Sequence, residues 1–120
     1  VRLLREVRPE RLIIEPTGLA HPAEIRAALR SPGLREHLAM RATITLVDPR
    51  VFRDSRWTER DGLVDQLQAA QVLVANHADR AEPEDLARFQ TFAAERFPPP
   101  DVIAVTSEGR LDPAWLDLPE

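Results

Sequence analysis

Four short apolar runs divide the chain into regular segments. They cover residues 12–14, 43–47, 72–75 and 102–105, and each ends at a polar or turn-forming residue. In three of the runs nearly every successive residue is apolar, as in strands that are covered on both faces of a parallel sheet. The pattern therefore predicts four β-strands in a mostly parallel sheet.

Apolar positions at spacings of three and four predict helices between these strands. Pro22 suits the first turn of a helix that ends near Leu29. A shorter helical turn is predicted over 34–40 and a helix over 62–70. The clearest helix is predicted over 83–97. The apolar stripe on that helix consists of Leu86, Phe89, Ala93 and Phe97.

The alternation of strands and helices predicts an α/β fold with right-handed crossovers. A length of 120 residues fits one domain, covering 1–120. The segment 49–61 is polar and is predicted to be a surface loop anchored by Phe52 and Trp57. A four-stranded parallel sheet would have two open edges, which proteins usually cover. We therefore expect a partial domain, or one that pairs with another surface.

Composition excludes several classes of protein. Sixteen basic and twenty acidic residues give a net charge of −4, which argues against a nucleic-acid-binding protein. No apolar run approaches the roughly 20 residues of a membrane helix, so no membrane partner is expected. The first ten residues are too charged for a secretory signal, and a cytoplasmic location is expected. The absence of cysteine excludes thiolate metal sites and cysteine nucleophiles.

All sixteen basic residues are arginine, and the charge is unevenly distributed. Without lysine, this chain cannot supply a Schiff base or the lysine of a phosphate loop. Residues 1–60 carry 12 Arg and 8 acidic residues, whereas residues 61–120 carry 4 Arg and 12 acidic residues. The asymmetry fits an ordinary solvated surface. It also fits an interface that matches opposite charges, as in a homodimer.

Polar residues follow each predicted strand. In open α/β sheets ligands bind at the carboxyl ends of the strands, so these residues are the candidates for a site. The first strand is followed by Glu15, Thr17 and Gly18, and the second by Asp48. The third is followed by Asn76, His77 and Asp79, and the fourth by Thr106 and Ser107. We expect these groups to converge on one rim of the sheet.

The third strand end has the arrangement of a guanine-reading loop. The carboxylate of Asp79 is an acceptor that can take two hydrogen bonds from adjacent N–H groups on a guanine edge, and adenine has no such donor pair. Asn76 supplies an amide that can hold the loop and contact the purine. The alternative is a helix-capping loop, because Asn and Asp are common there.

The first strand end has the composition of a magnesium and phosphate site. Glu15 would orient a magnesium-bound water, and Gly18 would offer a backbone N–H to a terminal phosphate. The alternative is a turn stabilised by Pro16 and Gly18, with Glu15 simply solvated.

Three segments together resemble the CobW-type GTPases. They are LIIEPTGLAHPAEI at 12–25, ITLVDPRVF at 44–52 and QLQAAQVLVANHAD at 66–79. Order and spacing agree over roughly residues 11–112. This family of P-loop GTPases includes HypB and UreG and is associated with delivering metals, zinc and cobalt among them, into proteins or cofactors.

The resemblance implies roles by position, with GTP or GDP and Mg²⁺ as ligands. It implies that Glu15 and Gly18 are catalytic residues that sense magnesium and the last phosphate. Thr17 and Asp48 would lie on the magnesium and phosphate side. The residues that would contact the nucleotide base are Asn76, His77, Asp79, Thr106 and Ser107.

The chain departs from the family pattern in several places. It has no glycine-rich phosphate loop ending in Lys and Ser or Thr, and no counterpart of the usual C-terminal domain. His77 replaces the usual lysine of the base-reading loop, and Pro16 replaces a small or hydroxylic residue. The spacing of His21, His37 and His77 matches no common metal motif, so we predict no metal site in the chain.

The resemblance therefore implies part of a GTPase domain whose parent couples GTP hydrolysis to metal delivery to a client protein. We expect the chain alone to be inactive. One alternative is a degenerate, non-enzymatic domain retained as a protein-interaction module. The other is an unrelated α/β enzyme in which the Asn76 and Asp79 spacing is coincidental.

Overall fold

A computed structural model describes residues 1–18 and 20–120 of the chain. Three parallel strands form one sheet in the order β1 (Ile44–Val47), β2 (Val72–Ala75) and β3 (Val102–Val105). Four α-helices accompany the sheet: α1 (Arg2–Val7), α2 (Pro22–Leu29), α3 (Leu63–Ala69) and α4 (Pro83–Glu95). Short 3-10 helices cover Pro49–Arg53, Trp57–Glu59, Ala78–Arg80 and Pro113–Asp117. The fold is α/β, as predicted, and is consistent with part of a P-loop NTPase-like domain.

The central strand β2 is buried on both faces, as its continuous apolar sequence predicts. All four of its residues are fully buried. Leu73 and Ala75, on one face, pack in a cluster with Leu67 of α3 and Phe89 of α4. Leu73 and Ala75 point to the same face because alternate residues of a strand share a face. Both helices that flank β2 in the sequence therefore pack on this face.

The predicted surface loop 49–61 contributes more to the core than its polar sequence indicates. Phe52 is buried and packs edge-on against Trp57, with ring centroids 5.0 Å apart. It also stacks on Phe92 of α4 at 5.6 Å. Two 3-10 helices within this loop carry the two aromatic residues, and both pack against Phe92 of α4.

The predicted first strand does not form. Leu12, Ile13 and Ile14 lie in an irregular, exposed segment between α1 and α2. Among the described residues no other strand pairs with their backbone. A strand is stabilised by hydrogen bonds to a neighbour, so an apolar run without one remains irregular whatever its own β-propensity. The sheet therefore has three strands rather than four.

One helical prediction differs from the structure, and one helix was not predicted. Residues 31–37 form hydrogen-bonded turns, including Arg35 N–H to the Ser31 carbonyl at 3.1 Å, instead of a helical turn that continues to residue 40. Pro32 and Gly33 favour turns over a continued helix, and Gly33 adopts a positive φ of 85°. The short helix α1, in contrast, was not predicted. It has no buried residue.

The apolar stripe of α4 ends earlier than predicted, because α4 ends at Glu95. Phe97 precedes Pro98, and a residue before proline is disfavoured in the helical conformation. Phe97 is 89% exposed, whereas Phe89 is fully buried. Arg96 is buried in the same region, with 7% of its surface exposed. Its guanidinium donates hydrogen bonds to the carbonyls of Leu67 (2.9 Å) and Pro98 (3.0 Å), so it joins the ends of α3 and α4.

An ion pair between the exposed Arg53 and the buried Asp85 joins the loop after β1 to α4. Asp85, with 1% of its surface exposed, accepts hydrogen bonds from Arg53 Nε at 2.7 Å and Arg53 Nη2 at 2.6 Å. Its carboxylate also accepts from the Glu82 backbone N–H at 2.8 Å, as part of a capping box that begins α4. The Arg53 guanidinium is the main cause that lowers the pKa of Asp85 to about 2.

Replacing Asp85 with Asn should lower the melting temperature at pH 7 by roughly 5 °C or more. The folded pKa lies below the ordinary value of 3.8, so this stabilisation is complete above about pH 4 and is lost as the pH falls through about 2. Thermal melts of both proteins from pH 7 to pH 2 should therefore converge at the acid end. A difference in melting temperature that persisted unchanged to pH 2 would contradict this assignment.

No helix in the described part of the chain has both the length and the apolar character needed to cross a bilayer.

Candidate functional site

The loops that follow β2 and β3 are hydrogen-bonded into one surface. Asn76 Oδ1 accepts a hydrogen bond from the Gly109 backbone N–H at 3.1 Å. The Ala78 N–H donates to the Thr106 carbonyl at 3.1 Å. The Thr106 hydroxyl accepts from the Arg110 N–H at 3.2 Å, which closes the second loop on itself. The side chains of Asn76 and Thr106 thus fix the shape of this surface.

The backbone extends the sheet by one residue at this end. The Asn76 N–H donates to the Val47 carbonyl at 2.9 Å, and the Thr106 N–H donates to the Ala75 carbonyl at 2.8 Å. Because all three strands are parallel, their carboxyl ends lie along a single edge of the sheet, which we call the carboxyl rim. The residues after β1, β2 and β3 therefore meet there, as predicted for these three strand ends.

Asp79 is exposed on the carboxyl rim. His77 adopts a left-handed conformation with φ 60°, and the chain then enters the 3-10 helix that carries Asp79. Among the described residues, no side chain or backbone N–H hydrogen-bonds to the Asp79 carboxylate. Ser107 is likewise exposed beside Thr106. Both oxygens of Asp79 are therefore free to accept hydrogen bonds from a ligand.

Asp48, at the end of β1, is engaged by Arg50. Arg50 Nε lies 3.0 Å from Asp48 Oδ1, and Nη2 lies 2.6 Å from Oδ2. The Arg50 backbone N–H also donates to Oδ1 at 3.0 Å, so Asp48 caps the 3-10 helix that begins at Pro49. These bonds lower the pKa of the Asp48 carboxyl, chiefly through the Arg50 side chain, with a smaller contribution from His77. With both oxygens bonded to Arg50, Asp48 does not fit a magnesium ligand in this arrangement.

Three arginines surround a shallow depression beside Asp48. The residues that line it are Asp48, Arg50, Val51, Arg53 and Arg60. Arg50 and Arg53 each pair with an aspartate, whereas Arg60 forms no ion pair with any described residue. The sequence has four arginines within residues 50–60, but it does not show which of them lie together. That depends on the two 3-10 helices of this loop.

Glu15, Thr17 and Gly18 do not follow a strand. They lie in the exposed irregular segment before α2, and among the described residues no hydrogen bond or ion pair joins them to the carboxyl rim. A Cβ atom added at Gly18 would meet nothing within 4 Å, so no neighbour excludes a side chain there. The expectation that Glu15 ends a buried strand is wrong, because the apolar run before it has no strand neighbour. The oxygens of Glu15 and Thr17 are nevertheless of the hard type that Mg²⁺ prefers.

The segment containing Gly18 is held by α3, a contact that the sequence did not reveal. Gln66 Nε2 donates hydrogen bonds to the carbonyls of Gly18 (2.8 Å) and Ala20 (3.0 Å). His21 Nδ1 lies 3.0 Å from Asp65 Oδ2. The apolar pattern of α3 predicts only which residues face the core. It does not predict which groups a polar residue such as Gln66 contacts.

The three histidines do not form a metal-binding site with acidic residues in the described part of the chain. Within residues 1–18 and 20–120, no three histidine, aspartate or glutamate side chains are placed to hold a metal ion.

The family model described as "CobW/HypB/UreG, nucleotide-binding domain" matches residues 1–114. The chain belongs to the CobW/HypB/UreG family. The match includes all three strands and all four α-helices, so these elements are those of the nucleotide-binding domain of the CobW/HypB/UreG family.

Two relatives extend this comparison. The zinc chaperone YeiR of Escherichia coli (strain K12) is 38% identical over 117 residues, which is 98% of this chain and 35% of the relative. The zinc chaperone CobW of a Sinorhizobium species is 32% identical over 115 residues, which is 95% of this chain and 30% of the relative. The chain therefore spans about a third of the length of these CobW-family relatives. No solved structure matches the chain significantly.

Proposed function

We propose that this chain is the guanine-reading part of a GTP-binding protein that delivers zinc to a client protein. The observation that carries the proposal is the joined surface after β2 and β3, where Asn76 is bonded to Gly109 and Asp79 presents a free carboxylate. The family match supports nucleotide binding, and this surface favours guanine among the nucleotide bases.

Each side chain on this surface has a distinct use toward a guanine. Asp79 would accept hydrogen bonds from the two adjacent N–H groups on the guanine edge. Asn76 Oδ1 already accepts from Gly109, so its Nδ2 group remains as a donor for the acceptor atoms of the purine. The imidazole of His77 would stack on the base, in place of the lysine stem found at this position in the family. Thr106 and Ser107 would close the second loop over the base.

The phosphates and Mg²⁺ would lie toward the segment that carries Glu15, Thr17 and Gly18. Bound Mg²⁺ would neutralise phosphate charge, and Glu15 and Thr17 are the residues whose oxygens suit it. The Gly18 N–H would donate to the last phosphate, in the open space around this glycine. Hydrolysis of GTP depends mainly on positioning, so a chain without a phosphate-cradling loop should be inactive alone.

Zinc is the metal proposed as cargo, because both relatives are named zinc chaperones. We assign no zinc ligands within this chain.

Nucleotide titrations test the proposal. The chain alone should bind GDP only weakly, with a dissociation constant of roughly 1 mM. A chain extended upstream to include a phosphate loop should bind GDP at least about 100-fold more tightly than ADP, and should hydrolyse GTP. Tight GDP binding by the short chain would contradict the need for a phosphate loop. Equal binding of ADP and GDP by the extended chain would overturn the role of Asn76 and Asp79.

The alternative function is a non-enzymatic interaction module. Two features favour it: apolar side chains such as Ile13 are exposed, and His77 replaces the lysine that is usual in the base-reading loop. This alternative predicts that the extended chain binds neither GDP nor GTP but still binds its client protein.

A further inference from the structure

Gln66 connects the Gly18 segment to the sheet. Its side chain donates to the carbonyls of Gly18 and Ala20 at 2.8 and 3.0 Å. Its backbone carbonyl accepts a hydrogen bond from the Thr45 hydroxyl of β1 at 3.0 Å. One residue of α3 is therefore bonded on one side to the segment before α2 and on the other to a strand that ends at the carboxyl rim.

His21 provides a second attachment at the same helix end. Its Nδ1 lies 3.0 Å from Asp65, and its Nε2 lies 3.7 Å from Asp61. The charged groups that face His21 are Asp65 of α3, Asp61 just before α3 and Glu24 of α2. The hydrogen bond to Asp65 is the main cause that raises the pKa of His21, and the three carboxylates add to it.

Among residues 17, 18, 20 and 21, the backbone makes few other hydrogen bonds, apart from those of the His21 carbonyl to α2. One backbone hydrogen bond between these residues joins the Ala20 N–H to the Thr17 carbonyl at 3.0 Å. Backbone with few hydrogen bonds opens easily, so we expect the bonds from α3 to contribute to holding these residues in position.

We infer that Gln66 is a positioning residue that, together with His21, fixes Gly18, Ala20 and His21 against α3. We call this set of contacts the α3 latch, formed by Gln66, His21 and Asp65. Its consequence for nucleotide binding rests on the proposed function. By holding Gly18 and its neighbour Thr17, the α3 latch positions the Gly18 N–H that would contact the last phosphate of GTP. The α3 latch itself requires no nucleotide.

Amide hydrogen exchange of the nucleotide-free chain tests the α3 latch directly. Gln66→Ala removes both donors, and Gln66→Glu keeps the side-chain length but places a carboxylate against two carbonyls. Both variants should lower the protection factor of the Ala20 amide about 10-fold or more. Gln68→Ala, an exposed change on the same helix, should leave it unchanged. Unchanged protection of Ala20 in both Gln66 variants would overturn the inference.

The pH dependence of protection distinguishes the role of His21. Because its pKa is raised above 6.5, the charged His21 should hold the segment fully below that pH and release it as the pH rises through the raised value. The Ala20 protection factor should fall over that interval in the wild-type chain. His21→Gln should abolish the change, and His37→Gln should not. A fall that survives in His21→Gln would exclude His21 from the α3 latch.

Nucleotide selectivity separates positioning from general stability. In the extended chain, Gln66→Ala should weaken GTP binding about 10-fold while leaving GDP binding unchanged, because Gly18 is placed at the last phosphate. Equal weakening of both nucleotides would overturn the positioning role. If the wild-type extended chain binds neither nucleotide, the proposed function fails, while the exchange experiment still decides whether the α3 latch exists.

Discussion

Replacing Asp79 with Asn should weaken GDP binding by the extended chain roughly 100-fold, because one acceptor oxygen is replaced by a donor and the remaining oxygen is uncharged. The Asp79 carboxylate is exposed on the carboxyl rim and has no hydrogen-bond partner among the described residues, so the substitution breaks no hydrogen bond of the described fold. Isothermal titration with GDP and ADP would show the GDP-to-ADP preference falling toward unity.

Glu84→Gln is a matched control for Asp79→Asn. Glu84 is an exposed acid in the first turn of α4, so this change also removes one negative charge without touching the loops after β2 and β3. It should leave both GDP and ADP affinities within about 2-fold of the wild type. A loss of GDP binding in the control as large as that in Asp79→Asn would mean that overall charge, not base recognition, explains the effect.

Replacing Phe89 with Ala should lower the free energy of unfolding by about 3–5 kcal/mol. Phe89 is fully buried in the cluster that joins α3, α4 and β2, and its ring centroid lies 6.3 Å from that of Phe52. Truncation removes the ring from that cluster and leaves a cavity which the packed neighbours fill only in part. Urea denaturation, followed by tryptophan fluorescence of Trp57 and Trp115, measures the change.

Phe97→Ala is the corresponding control, since it also removes a phenyl ring, but from an exposed position instead of a buried one. Phe97 is almost fully exposed, so its truncation should change the free energy of unfolding by no more than about 0.5 kcal/mol. The apolar stripe of α4 had predicted similar burial for both residues. Equal destabilisation by the two substitutions would show that α4 continues past Glu95, contrary to the structure.

The sequence predicted those elements whose signals are local. Pro83 and the acidic residues after it mark the beginning of α4, and the continuous apolar residues of β2 mark a strand buried on both faces. The Asn76 and Asp79 spacing likewise identified a loop that the structure places at the carboxyl rim. In each case a local signal, from capping, periodicity or turn-forming residues, agrees with the contacts that the fold provides.

Features that depend on a distant partner could not be predicted. The run Leu12–Ile14 has the β-propensity of a strand but no neighbouring strand, and Phe97 has the spacing of a core residue but lies beyond the last turn of α4. Gln66 and Arg96 are polar residues of helical segments, and their roles arise only when their side chains reach Gly18 and Leu67. Tertiary contacts override local preference at these positions.

The most direct test of the account is an NMR titration of the isotopically labelled chain with GDP and ADP at millimolar concentrations. The account predicts that GDP shifts the backbone amides of residues 76–80 and 106–110, whereas ADP at the same concentration leaves them nearly unchanged. Equal shifts with both nucleotides, or GDP shifts confined to the arginines of the depression beside Asp48, would contradict the claim that the loops after β2 and β3 read a guanine base.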